Sequence, residues 1–255
     1  MSVSRRTFIK RSTGALAAGG LGVHPHLPGL GEAPPATAAP KAPRSLDLLI
    51  LGGTSFLGPH QIRYALDRGH RISMFNRGRT EPRMFPGLVD QVEHLEGDRD
   101  VNLDALRGRR WDAVIDNSGQ RVEWAREAAE LLVDNVTHYL YVSSTGVYLP
   151  YLTANITEDV QPVLEDDPPR ESPSYGVMKA LSEREVQRVF GDRAIIVRPQ
   201  YIVGPGDTTD RFPYWPVRIA RGGRILVPGN RDDQVQLIDH SFPTRRSSDH
   251  RKSVV

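Results

Sequence analysis

Leu48-Leu-Ile-Leu-Gly-Gly-Thr-Ser-Phe-Leu-Gly58 decides the fold, because four apolar residues run straight into a glycine turn. A continuous apolar run ended by glycines reads as a strand buried on both faces. The next stretch, Pro59 to Gly69, has Ile62 and Leu66 one turn apart and reads as a helix closed by Gly69. In a strand–turn–helix unit of this kind the glycines permit a tight turn and close approach of backbone to a pyrophosphate. The helix start then supplies N–H donors and the positive end of a dipole. An ordinary strand-to-helix turn uses the same residues, so the neighbouring segments must decide.

Outward from the turn, short apolar runs alternate with helical patterns. Strands are expected at 71–75, 91–95, 112–116, 138–143 and 194–197, and helices near 122–135 and 174–190. That alternation predicts an α/β protein: a Rossmann-type doubly wound parallel sheet with helices on both faces. After Gly204 the texture turns to Phe212, Pro213, Tyr214, Trp215 and Pro216, which predicts a small, here truncated, C-terminal substrate lobe. The expected domains are a leader at 1–38, a linker at 39–45 and a nucleotide-binding domain at 46–200. A partial substrate lobe at 201–240 and a non-native tail at 241–255 complete the chain.

Composition narrows the function classes. The 255 residues contain no cysteine, which excludes disulfides, thiolate metal sites and a cysteine nucleophile. The net charge is +2, but residues 1–38 and 241–255 each carry +3, so residues 39–240 carry −4. A mildly acidic body argues against a phosphate-tracking surface, and nucleic acid is not an expected partner. His24, His26, His60, His70, His94 and His138 lack ligand spacing, and no metal site is expected.

The ligand edge of such a sheet lies outside the carboxyl ends of its strands. Candidate cofactor contacts there are Gly52, Thr54, Ser55, Phe56, Leu57 and Gly58 in the turn. The end of the second strand, where an acid would normally hold the adenosine ribose, carries Asn76 and Arg77 instead. With no acid to repel a 2′-phosphate and an arginine to pair with it, NADP is modestly favoured over NAD. Asp98 and Arg99 follow the third strand, near an adenine amino group, and Asn117 and Ser118 follow the fourth.

Tyr175 and Lys179 are four apart at a helix start, hence on one face. A lysine ammonium one turn away, with the nicotinamide charge, is expected to lower the tyrosine pKa and let it exchange a proton with a substrate hydroxyl. Lys179 can also hold the nicotinamide ribose, and Ser143-Ser144-Thr145 supplies a hydroxyl to orient the substrate oxygen. Such a pair is common by chance. Its weight comes from its order after the glycine turn and the serines.

These segments, with Gly97-Asp98, Tyr141-Val-Ser-Ser-Thr-Gly-Val-Tyr148 and Val197-Arg-Pro-Gln-Tyr-Ile-Val-Gly-Pro-Gly206, resemble the extended short-chain dehydrogenase/reductase superfamily. The similarity is to its NAD-dependent epimerase/dehydratase branch, over about residues 46–239. It implies Ser144, Tyr175 and Lys179 as catalytic residues, with Tyr175 as acid/base. It also implies that Pro199 to Val203 lies along the nicotinamide. Three departures stand out: Ser55 replaces the middle glycine, Asn76 replaces the acid, and the family's continuation beyond Ile238-Asp239 is missing.

The implied activity is hydride transfer by an oxidoreductase, epimerase or dehydratase on a small molecule, sugar-like or nucleotide-linked. Arg211, Tyr214, Trp215 and Arg218 could line the substrate pocket, or form a packing helix. The alternative is a non-catalytic dinucleotide-sensing or RNA-binding module on the same fold. At the N-terminus, Ser4-Arg-Arg-Thr-Phe-Ile-Lys10 followed by an uncharged Ser12–Val23 resembles a twin-arginine export signal. The uncharged stretch is too short to span a membrane, which takes about 20 residues. Export to the periplasm by the twin-arginine machinery is therefore expected, with no stable membrane anchor, and a homodimer is left open. Ser241 to Val255 breaks off a strand-like Gln234–Asp239 run and reads as a truncated frame ending in foreign sequence.

Overall fold

The computed structural model describes residues 40–151, 155–227, 229 and 235–239; the leader and tail readings lie outside these residues. Six strands form one parallel sheet: β1 (Asp47–Leu51), β2 (Arg71–Asn76), β3 (Glu93–Glu96), β4 (Trp111–Asp116), β5 (Val136–Val142) and β6 (Ala194–Val197). Their order is β3-β2-β1-β4-β5-β6. The sheet is therefore wound outward in both directions from the boundary between β1 and β4, where ligands of open α/β sheets bind.

The pleat explains why β1 is apolar throughout. Alternate residues of a strand face opposite sides. Leu48 and Ile50 join Ile62 and Ala65 of α1 (Gly58–Asp67), with Ile72 and Met74, in one core. Leu49 and Leu51 enter the other core, with Ala125, Ala128, Ala129 and Leu132 of α2 (Val122–Leu132) and Val186 and Phe190 of α3 (Tyr175–Phe190). Helices thus cover both faces, as the alternating pattern predicts.

Helix ends are set locally. Ser174 caps α3 by accepting a hydrogen bond from the Val177 amide. Several boundaries differ from expectation. β3 starts at Glu93 because Val89–Gln91 forms a 3-10 turn. Helix α2 stops at Leu132, whose carbonyl accepts from the Asn135 amide, and the Asn135 carbonyl then accepts from Trp111, so β5 begins two residues early at Val136.

The C-terminal segment is built differently. β7 (Tyr201–Val203) pairs in parallel with β8 (Leu237–Asp239), so the expected strand before the tail exists. Between them lies α4 (Tyr214–Ala220), which has no buried residue. Ile219 is 60% exposed and Leu226 92%.

Candidate active site

The turn after β1 shows why its glycines are glycines. Gly52 and Gly53 have φ of 91° and 133°, in the region that excludes most side chains. A Cβ on Gly58 would stand 2.2 Å from the Gly53 Cα, so strand end and helix start touch through hydrogen atoms alone. Helix α1 begins there with Pro59 in its first turn and no side-chain cap. Ser55, in the place of a middle glycine, is exposed and its carbonyl accepts from the Gly58 amide at 3.1 Å.

At the end of β2, Asn76 turns inward. Its Oδ1 accepts from the Gly78 amide at 2.8 Å and lies 2.8 Å from His94 Nε2. Arg77 beside it is exposed. At the end of β4, Asn117 exchanges side-chain hydrogen bonds with Gln61 of α1, while Ser118 lies beneath Gly52. Asp98 closes its own turn by accepting from the Asp100 amide. Arg99, expected among the cofactor contacts, is 7% exposed, and its guanidinium is committed to Asp116, Ser118 and the Trp124 carbonyl. A charge at the mouth of a site would stay hydrated; this one is drawn inward by a fully buried carboxylate.

The proposed chemical residues meet at the carboxyl end of β5. Ser144 follows the strand, and its Oγ accepts from the Gly146 amide at 3.0 Å, starting a 3-10 turn over Thr145–Tyr148. That turn lies against the first residues of α3, since a Cβ on Gly176 would fall 2.1 Å from the Gly146 carbonyl oxygen. This contact makes Ser144 and Tyr175 neighbours: a Cβ on Gly146 would fall 3.3 Å from Ser144 Oγ and 3.6 Å from Tyr175 Cδ1. Thr145 donates its amide to the Pro199 carbonyl at 3.1 Å, fixing Pro199 beside the same turn. One turn into α3, Lys179 is buried and donates from Nζ to the Val142 carbonyl at 2.9 Å. Its ammonium lies 4.7 Å from the centre of the Tyr141 ring and 5.9 Å from that of Tyr175.

The electrostatics correct one expectation. Partial burial pushes the Tyr175 phenol above its ordinary value, and the influences pulling it down are the neighbouring Ser144 hydroxyl and the positive charge of Arg211. Lys179 is not among them. Its own burial pulls the lysine down to about 8, against an opposing pull from the Asp116 carboxylate.

Sequence reading missed two contributors. Gly176 sits inside the quoted Tyr175–Lys179 segment, but its need to be glycine arises from Gly146, 30 positions earlier. The other is the bidentate pair of Arg198, at the end of β6, with buried Glu183 of α3 at 2.7–3.2 Å. Arg198 also reaches Tyr148 Oη at 2.5 Å, so β6, the Ser144 turn and α3 are locked together. An arginine just past β6 and a glutamate four residues past Lys179 are the visible signals. Only the fold says that they meet.

His60, His70 and His94 contact the Pro205 carbonyl, the Leu46 amide and Asn76 respectively. Among the described residues no cluster of three histidine or acidic side chains could hold a metal ion. An open groove of about 660 Å³ lies at the opposite, amino-terminal edge of the sheet, between Asp47, Arg71, Glu93 and Arg109. Its charged groups are paired with one another, Arg71 with Asp47 and Arg109 with Glu93.

The fold is that of a doubly wound α/β protein, and the candidate site lies at the carboxyl end of its sheet. The chain belongs to the NAD dependent epimerase/dehydratase family, whose model matches residues 48–241. Over 205 residues it is 29% identical to chloroplast stem-loop binding protein of 41 kDa b from Arabidopsis thaliana, covering 76% of this chain and 51% of that one. It is also 29% identical to 2-alkyl-3-oxoalkanoate reductase of Stenotrophomonas maltophilia (strain K279a), covering 74% and 60%. The chain thus spans about half to three fifths of these relatives' lengths. Among solved structures it resembles the Bordetella bronchiseptica enzyme WbmG in complex with NAD, at 20% identity and a TM-score of 0.58, over 78% of this chain and 66% of that one.

Proposed function

We propose that this chain carries the nucleotide-binding and catalytic part of a nicotinamide-dependent oxidoreductase, epimerase or dehydratase, with Ser144, Tyr175 and Lys179 as its chemical residues. The observation that carries the proposal is their convergence: Ser144 and Tyr175 stand on either side of Gly146 at the carboxyl edge, with buried Lys179 one turn further into α3. The residues present fit a dinucleotide. The glycine turn with its uncapped helix would take the pyrophosphate, Asn117 and Ser118 would lie under a ribose, and Lys179 and Pro199 would face the nicotinamide end. The bound cofactor supplies or accepts a hydride.

The chain's own residues handle the proton. Ser144 orients the substrate oxygen toward Tyr175 Oη. Raised above its ordinary value, Tyr175 holds its proton at neutral pH and is suited to donate it to a carbonyl as reduction proceeds. Arg211 then helps the resulting phenolate, a role that favours anionic substrates. A nucleotide-linked sugar fits that charge, in keeping with the WbmG structure that holds NAD and UDP. NADP remains favoured over NAD because Asn76 leaves no acid at the end of β2 and Arg77 is exposed beside it. The leader motif supports export to the periplasm with the cofactor already bound.

A stem-loop RNA-binding function is the second reading, supported by the chloroplast relative and opposed by the charge of −4 over residues 39–240. Turnover assays with NADP(H) or NAD(H) over UDP-sugars and 3-oxo acids separate the two. Tyr175→Phe is expected to lower turnover by about 10²–10⁴-fold with dinucleotide affinity retained. A variant as active as the parent refutes the assignment.

A further inference from the structure

Arg99 takes no part in the chemistry above, yet it is among the most confined charges in the molecule. Its Nη1 and Nη2 donate to the two Asp116 oxygens at 2.5 and 3.0 Å. Nη1 also donates to Ser118 Oγ at 3.0 Å, and Nη2 to the Trp124 carbonyl of α2. Asp116, fully buried at the end of β4, accepts in addition from Tyr139 Oη at 2.6 Å and from the Ser118 amide at 3.1 Å. Burying an ion pair seldom adds stability over an apolar pair of the same volume, because both ions must be dehydrated. Here Arg99 Nε is also left without a hydrogen-bond partner. Stability alone does not account for the cluster. Its geometry does, because the bonds of Arg99 tie together three segments at the carboxyl edge: 97–99 after β3, 116–119 after β4, and the start of α2.

We propose that Arg99 and Asp116 form a positioning unit that holds the Asn117-Ser118-Gly119 loop as the floor of the dinucleotide site. The proposal rests on the nucleotide-binding reading above. The loop sits against the glycine turn: a Cβ on Gly52 would fall 3.3 Å from Ser118 Cβ and 3.7 Å from Asn117 Cβ. A side chain on Gly52 would thus be tight against Ser118 and in contact with Asn117, so floor and turn lie close together, and a loop displaced by one bond length would close the gap or open it. Arg99 sets that spacing from below through Ser118 Oγ, while the Asn117 amide is tied to the Leu51 carbonyl at 3.2 Å. Planar and forked, the guanidinium can serve the carboxylate, the hydroxyl and the carbonyl together; a lysine ammonium is a point charge and cannot.

Arg99→Lys in the full chain is the test, since it keeps the buried charge balanced. It is expected to fold, to exchange the amides of residues 117–119 about tenfold faster without cofactor, and to weaken NADP(H) binding about tenfold. An Arg99→Lys protein that is folded, with parental exchange and affinity within about twofold, overturns the proposal. If it does not fold, Ser118→Ala decides, because it leaves the ion pair intact and removes only the tether. Faster exchange of the unliganded loop supports the proposal, and unchanged exchange overturns it. A parent protein that binds neither dinucleotide removes the nucleotide-binding reading, and the floor with it. A parent that binds while Arg99→Lys binds equally well removes the positioning unit alone.

Discussion

The corner where β5 meets α3 and the segment from Tyr201 to Asp239 are both rich in aromatic and basic residues, and they are built in opposite ways. In the corner, Tyr139, Tyr141, Val147 and Val186 are fully buried, and the charged Lys179 and Glu183 are buried with hydrogen-bonding partners. In the segment, Tyr214, Trp215, Val217 and Ile219 lie on an exposed short helix, and Leu237 and Ile238 are more than two fifths exposed. The difference teaches where the specification resides. The corner is completed by contacts among β5, β6 and α3, all within the chain. The segment's apolar side chains are not completed by the described residues, so its contribution to stability should be small.

The largest effect separates the two regions directly. Leu132→Ala, in the core beneath the corner, should cost about 2–5 kcal/mol in a urea melt because it leaves a cavity. Trp215→Ala should stay within about 0.5 kcal/mol. Equal losses would break the comparison, since they would mean that the segment is packed.

A smaller effect sharpens it. Gly176→Ala inserts a methyl group 2.1 Å from the Gly146 carbonyl oxygen, and the backbone on both sides must shift. A loss of roughly 1–3 kcal/mol is expected, as for other overpacked sites. Turnover should fall further than stability explains, because Ser144 and Tyr175 would separate. Unchanged turnover would show that their contact is not held by this approach.

The pH dependence probes the electrostatics of the corner. Folded Lys179 releases its proton near pH 8, below the ordinary lysine range. Between those limits the unfolded chain holds a proton that the folded chain has lost, so stability rises with pH across that window. Below it the cost of burying the charge is fully present. Lys179→Met should flatten this rise in melts compared at about pH 7 and about pH 10. A parallel rise in the variant would assign the linkage elsewhere.

Much of the fold was legible because its signals are local. Leu48–Leu51, the glycine turn and the Ile62 spacing specify strand, turn and helix within twenty residues, and β6 falls where its apolar run predicts. The site was legible as a set of residues but not as a circuit. Tyr175 and Lys179 share a face as their spacing requires, yet burial pulls the lysine down to about 8, and that burial depends on Tyr141 and Val142 from another strand. Arg99 read as a cofactor contact because its partner, Asp116, lies 17 residues away on β4 and looks in sequence like any polar strand end. Gly176 could not be told from an ordinary helix glycine until Gly146 was seen beside it.

The central claim is that the carboxyl edge of this sheet binds a nicotinamide dinucleotide, and titration of the folded full-length chain with NADPH and NADH tests it most directly. Quenching of protein fluorescence should saturate with both, more tightly for NADPH, and Arg77→Ala should lower NADPH affinity about tenfold while leaving NADH unchanged. A folded protein whose fluorescence responds to neither nucleotide would contradict the account.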